Sequence, residues 1–298
     1  MPSQRSEHYE EYLRKIAKMS LFDNIFMNLC FKNCPEFAEH ILRIILDKPK
    51  LKVETVIVQD YFANLRGHSS QLDIVALDEK GRFMNIEIQR DNKYAIPKRA
   101  RFHSSLLDAS SLDKNRPYDE LRDSYVIFIT EHDYWGNKLP IYHVSRTIEE
   151  TNAKFNDGSH IIYVNGENRD NTPLGKLMHD FACADPDNMY YNQIADRINL
   201  FKNTRKGRKI MCSVFDEILA EGLAEGRAAG RKEGRAAGRK EGLAEGEAIG
   251  LTKGINDNKK DVALRMLSFG KYALTEIAII SGLQIDEVKA LQASMENA

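Results

Sequence analysis

Leu72-Asp73-Ile74-Val75-Ala76-Leu77, then Asp78-Glu79-Lys80-Gly81, then Arg82-Phe83-Met84-Asn85-Ile86-Glu87-Ile88-Gln89 is the stretch on which the fold turns. Both arms are apolar and rich in Ile, Val, Leu and Phe, and a short polar segment ending in Gly joins them, as a hairpin requires. With Asp78 to Lys80 in a type I turn and Gly81 in the left-handed position of a bulge, Asp78 pairs with Arg82. Counting back sets Asp73 opposite Glu87. Opposed side chains on antiparallel strands have Cβ atoms about 5 Å apart. Two carboxylates at that distance repel, and Leu72, Ile74, Ile86 and Ile88 restrict water, so either one acid is protonated or a cation lies between them. A divalent metal is the simplest resolution. Alternation along a strand puts Glu87 and Gln89 on one face and Ile86 and Ile88 behind them.

The chain's 298 residues, 42% hydrophobic and 29% charged, suffice for one sizeable core with appendages. No apolar run approaches ~18 residues and no charged-then-apolar leader opens the chain, so a cytoplasmic protein without a membrane span is expected. Cys30, Cys34, Cys183 and Cys212 lack the paired spacing of a zinc site and read as reduced structural thiols. The formal net charge is −1, so any nucleic-acid contact must come from local basic patches.

Ahead of the hairpin, the spacing predicts helices over 7–18, from Phe22, and from Pro35 to Leu46, then a strand over 53–58. Asp23 reads either as a helix N-terminal acid or as a lender to the metal site; Glu54 reads as solvent-facing or as lying near that site. Arg66 and His68, in the polar loop before Asp73, are loop residues or phosphate contacts. Beyond Gln89, Pro97 opens a helix to about Asp108, with Ile96, Ala100, Leu106 and Leu107 as core contacts. Lys98, Arg99, Arg101 and His103 on that helix are candidate DNA phosphate contacts or a solvated basic face, Arg99 and His103 sharing one side. Ser124–Thr130 is a continuous apolar run, the mark of a central strand buried on both faces, and 141–144 and 160–164 read as further strands. Helices follow from Pro173 and over 189–201, then a basic cluster, Lys202 to Lys209. The class is α/β, a mixed sheet flanked by helices.

From Gly222 to Gly254 glycine recurs every fourth residue among Ala, Glu, Arg and Lys. Each Gly costs about 1 kcal/mol of helix stability relative to Ala. The glycine line drifts about 40° per repeat, a seam for close helix approach in a homo-oligomer or else a semi-flexible spacer. The tail reads as three short helices broken at Gly270 and Gly282, resembling a helix-turn-helix, yet Asp286-Glu287 at the would-be recognition helix repels phosphate and favours a packing role. The expected organisation is a domain over 1–209, the repeat over 210–255 and a small helical tail over 256–298.

Asp73, a hairpin, then Glu87-Ile88-Gln89 resembles the Asp…(Asp/Glu)-x-Lys signature of the PD-(D/E)xK nuclease superfamily. Asn85 to Gln89 with Tyr118-Asp119-Glu120-Leu121 and Tyr125 to Ile129 is similar to the Rpn family of recombination-promoting nucleases, also called PD-(D/E)xK family transposases. The similarity spans roughly the first two-thirds of the chain, and the glycine repeat resembles that family too. The resemblance implies a restriction-endonuclease-like fold and a metal-dependent DNA endonuclease acting in recombination, transposition or defence in a bacterium. It further implies that Asp73, Glu87 and the Ile88 carbonyl hold Mg²⁺, with Mn²⁺ or Ca²⁺ as alternatives and Asp23 a candidate ligand, while Gln89 positions water. Gln89 stands where Lys is usual; the missing charge could come from the metal or from Lys93, Lys98, Arg99 or Arg101. A catalytically inactive DNA-binding or assembly protein of the same fold is the alternative.

Overall fold

The computed structural model describes residues 4–62, 70–113 and 115–296. They form helices α1 (Gln4–Lys18), α2 (Asn24–Phe31) and α3 (Pro35–Ile45), then strands β1 (Val53–Phe62), β2 (Ser70–Asp78) and β3 (Phe83–Gln89). After α4 (Pro97–Ser111) come β4 (Ser124–Thr130), β5 (Ile141–Val144), the short ribbon β6 (Thr147–Ile148) and β7 (Ala153–Lys154), and β8 (Ser159–Asn165). Helices α5 (Pro173–Ala182), α6 (Asn192–Asn203), α7 (Arg205–Phe269), α8 (Leu274–Ser281) and α9 (Ile285–Glu296) complete the chain. Arg66 and His68 lie outside the described residues.

Six strands form one mixed sheet in the order β1-β2-β3-β4-β8-β5. The β1-β2-β3 meander is antiparallel, β3-β4-β8 is parallel, and β5 returns antiparallel on the edge. The parallel step from β3 to β4 needs a crossover, which α4 supplies. All seven residues of β4 are buried, as its unbroken apolar run predicts.

Strand alternation sorts the side chains into two cores. Ile74, Ala76, Met84, Ile86, Ile88, Ile127, Ile129 and Val164 pack with α1, α2, α3, α5 and α6 on one face. Val75, Val126, Phe128 and Tyr163 pack with Ala100 and Leu107 of α4 on the other. Two expected core contacts are corrected here: Ile96, at the N-cap of α4, is exposed, and Leu106 is only half-buried. Helical periodicity places a face but not how far it reaches under its neighbours. Lys202, the first charge of the basic cluster that sequence reads as a DNA contact or the positive end of a helix, is buried and donates to the Ala17, Met19 and Ala184 carbonyls. Burial pushes its pKa down to about 8.

The hairpin turn forms as its residues dictate. Gly81 takes φ +69°, its N–H donates to the Asp78 carbonyl at 2.9 Å, and Asp78 N–H donates to the Arg82 carbonyl at 3.2 Å. The Asp78 carboxylate, 2% exposed, accepts from the N–H groups of Lys80 and Arg82, both at 2.9 Å, and from Arg82 Nε at 2.7 Å. The turn is therefore pinned from inside by one charge.

The chain divides into two compact units, Met1–Asp216 and Glu217–Ala298, with α7 running through the boundary. In the second unit a small core of Ala263, Ile277, Leu283 and Val288 joins the end of α7 to α8 and α9. Gly282 in the left-handed conformation ends α8. The repeat glycines lie within the uninterrupted α7, and a Cβ at any of Gly222 to Gly254 would meet nothing within 4 Å. The four cysteines are free. Among the described residues no helix is long and apolar enough to cross a membrane.

Because the Asp78 carboxylate holds the turn that sets the β2/β3 register, Asp78→Ala is expected to destabilise the chain by roughly 2 kcal/mol. Urea denaturation followed by circular dichroism measures the loss.

Candidate metal and nuclease site

The β2/β3 ladder pairs Leu77 with Phe83, Ala76 with Met84, Val75 with Asn85 and Ile74 with Ile86. Its next step would pair Asp73 with Glu87, the opposition expected from the turn, but the regular pairing stops there. Side chains take over from backbone. The Asp73 N–H donates to Glu87 Oε1 at 3.3 Å, and the Ile88 N–H donates to the Asp73 carboxylate. Gln89 spans both acids, its Nε2 lying 3.3 Å from Asp73 Oδ2 and 3.5 Å from Glu87 Oε2. Asp73, Glu87 and Gln89 thus converge on one side of the sheet.

Glu87 is fully buried and heavily solvated by protein. Asn85 Nδ2 donates to its Oε1 at 3.0 Å, His103 Nδ1 lies 3.3 Å from the same oxygen, and Arg99 Nη2 lies 2.9 Å from Oε2. Arg99 Nε in turn donates to His103 Nε2 at 3.4 Å. His103 is buried and stacks on Phe128, ring centroids 6.2 Å apart.

This environment separates the two acids electrically. Burial would raise Glu87, but the hydrogen bond from His103, the charge of Arg99 and the Asn85 amide outweigh it and hold its pKa below the usual range. Asp73 faces burial and then the negative charge of Glu87, and its pKa rises to about 7. One acid is held charged while the other is held near neutrality.

Of the four α4 residues expected at phosphate, Arg99 and His103 turn inward to Glu87, whereas Lys98 and Arg101 are exposed. The shared face of Arg99 and His103 was legible from their one-turn spacing; that it packs against β3 was not. Asp23 is engaged elsewhere: its carboxylate accepts from the Ser20 N–H at 2.8 Å and pairs with Arg90 Nη1 at 3.3 Å. Arg90 alternates with Gln89 along the chain and also holds Glu131 at 3.0 Å. Glu54 is exposed at the end of β1 remote from Asp73. Asn85 is the residue that pattern reading passed over; its place two residues before Glu87, on the same strand face, was the available signal.

Among the described residues no group of three or more His, Cys, Asp or Glu side chains is arranged to hold a metal ion. The donor set around Asp73 and Glu87 nevertheless suits a hard cation. Mg²⁺ keeps several waters and is commonly bound through one or two carboxylates plus substrate phosphate, and the repulsion that lifts Asp73 is what a cation would relieve.

The Asp73 shift has a consequence for stability in EDTA. Folded Asp73 keeps its proton to about pH 7 while the unfolded value is 3.8, so stability is full below about pH 4 and falls as pH rises toward 7. Glu87, lowered from 4.5, acts with the opposite sign, and only at the acid end of the range. In urea titrations across pH 4–8, Asp73→Asn should remove most of the fall, which amounts to at most about 4 kcal/mol.

Residues 39–173 match the family model described as PD-(D/E)XK nuclease family transposase. No curated protein and no solved structure matches the chain. The matched span runs from within α3 to the first residue of α5 and contains the six-stranded sheet, α4 and the partners of Asp73 and Glu87 named above. Over residues 39–173, which build the acidic hairpin and the helix packed on it, the chain is similar to the PD-(D/E)XK nuclease family transposases.

Proposed function

We propose that the protein is a divalent-metal-dependent endonuclease that hydrolyses phosphodiester bonds in DNA, in the service of transposition, recombination or DNA defence. The observation that carries this reading is the pair Asp73 and Glu87, side by side where the strand ladder opens, within a nuclease-family span. Asp73 and Glu87 would hold Mg²⁺, or Mn²⁺ or Ca²⁺, through their carboxylates. The Ile88 carbonyl is a third oxygen on the same edge, since the Ile88 N–H already points to Asp73. When bound, the cation supplies Lewis-acid activation of water and neutralisation of phosphate charge.

The chain's own groups do the rest. Gln89, an amide with a donor and an acceptor end, already reaches both carboxylates and can orient the attacking water with its oxygen. Arg99 brings a fixed positive charge to Glu87 from α4, and the His103–Phe128 stack holds that edge in place. Lys98 and Arg101, exposed on the same helix, attract the DNA backbone. The glycine face of α7 is proposed to meet a second copy of itself, since among the described residues a Cβ on any of its repeat glycines would meet nothing within 4 Å.

A second reading, a non-catalytic DNA-binding or assembly protein, draws on Gln89 and on the occupation of both Glu87 oxygens by His103, Asn85 and Arg99. Incubating supercoiled plasmid with purified full-length protein separates the two. Nicking is expected with Mg²⁺ or Mn²⁺, none in EDTA, and a fall of at least about a hundredfold in Asp73→Ala and Glu87→Ala. Equal behaviour of wild type and both variants, with and without metal, would reject catalysis in favour of the second reading.

A further inference from the structure

Trp135 is the single tryptophan of the chain, and it is 41% exposed. It stands in the loop that leaves β4, four residues after Glu131, whose N–H donates to the Gln89 carbonyl at 3.0 Å. That loop is a built structure. The Asp133 carboxylate accepts from the Trp135 N–H at 3.1 Å, from the Lys138 N–H at 2.6 Å and from the Tyr142 hydroxyl at 2.9 Å, and Gly136 takes φ +70° between them. The indole is braced by Tyr134 at 5.0 Å and by Tyr163 at 5.6 Å between centroids, both edge-to-face.

Tyr163 connects this ring to the acids. Glu87, Phe128, Tyr163 and Tyr142 are in register across four neighbouring strands on one face of the sheet, with Phe128 and Tyr163 stacked at 5.3 Å. Two strand spacings put Tyr163 about 10 Å from Glu87, and Trp135 sits on it. A second exposed aromatic, Tyr94 at 51%, occupies the turn between β3 and α4. The Tyr94 carbonyl accepts from Arg99 Nη1 at 3.2 Å. Asn92, two residues before it, donates to the Asp133 carbonyl at 3.4 Å, tying the two loops together. Lys93 Nζ already lies 4.8 Å from the Tyr94 ring centroid, and further exposed cations follow in the chain: Lys98 and Arg101 on α4, and Lys138 three residues after Trp135.

A rigid, half-exposed indole costs little ordering on binding, and base–aromatic stacking with flanking cations is how single strands are held without sequence preference. In a regular duplex each base face is covered by its neighbours, so such a ring serves only a base that is out of the stack. We propose that Trp135 and Tyr94 form a stacking platform for unpaired bases beside the phosphate that enters the Asp73–Glu87 site, so that the substrate is DNA with a single-stranded or unstacked segment. The inference rests on the endonuclease reading for its direction but is tested separately from it.

The test uses the full-length protein in EDTA, so that nothing is cleaved. A fluorescein-labelled single-stranded DNA oligonucleotide and the duplex formed with its complement are titrated. Tryptophan fluorescence comes from Trp135 alone, and it should be quenched saturably by the single strand and little by the duplex. By anisotropy, Trp135→Ala and Tyr94→Ala should each weaken single-strand binding at least about fivefold, while Trp135→Phe retains most of it. Unquenched wild-type fluorescence, equal quenching by duplex, or equal affinity of wild type and variants overturns the platform, the second of these assigning the indole to general DNA contact. If plasmid nicking is lost in Asp73→Ala while the single strand leaves the indole unquenched, only the platform fails; if the indole is quenched and no nicking occurs with any metal, only the endonuclease reading fails.

Discussion

Asp73 and Glu87 meet in a corner that water barely reaches, and most of the first unit's unusual local chemistry answers their repulsion. Like charges at contact in a low-dielectric setting cannot both persist without compensation. Here the compensation is unequal. Glu87 receives Asn85, His103, Arg99 and the Asp73 N–H, whereas among the described residues Asp73 is given the Ile88 N–H and the Gln89 amide. The strands surrender regular pairing beyond Ile74 and Ile86 to allow this, and backbone N–H groups that would otherwise meet carbonyls meet carboxylates. An opening in a ladder is normally a liability; this one is closed by side chains from β3 and α4.

How far the arrangement was legible in sequence depends on the range of the interaction. The opposition of Asp73 and Glu87 followed from a local rule, the turn geometry demanded by Gly81, and strand alternation then placed Gln89 beside Glu87. The central strand announced itself through seven consecutive buried positions, Ser124 to Thr130. The roles of Arg99 and His103 were half legible: their spacing fixes that they share a side, but the rotation of α4 about its axis is set by Ala100 and Leu107 packing under the sheet. Asn85 was hidden because an amide inside an apolar strand carries no pattern of its own. The row Glu87, Phe128, Tyr163 and Tyr142 was out of reach, since it exists only once four strands distant in sequence take their register.

The glycine repeat shows the opposite case, in which the pattern is plain and the energetics are incomplete. Nine glycines in an exposed helix cost on the order of 9 kcal/mol relative to alanine, yet α7 is continuous through all of them. The glycine line rotates about 40° per repeat, so any one partner helix touches only a few glycines before the seam turns away. Close approach at a crossing point fits that geometry better than a long parallel coil does.

The departure at Gln89 is best understood through where the positive charge sits. A lysine two residues after Glu87 on the same strand face would place an ammonium between the acids and the phosphate. Gln89 keeps the reach, contacting both carboxylates, but brings no charge. Arg99 supplies a guanidinium to Glu87 from the neighbouring helix, through Nη2 at 2.9 Å. Its other terminal nitrogen binds the Tyr94 carbonyl, and its Nε binds His103. The positive charge beside Glu87 is thus a planar guanidinium anchored at three points, on β3, on α4 and on the turn between them. Guanidinium stays charged at every accessible pH, so it cannot pass a proton as an ammonium can. A fixed charge of this kind holds Glu87 ionised, and under the proposed endonuclease reading it would leave the orientation of water to the neutral amide of Gln89.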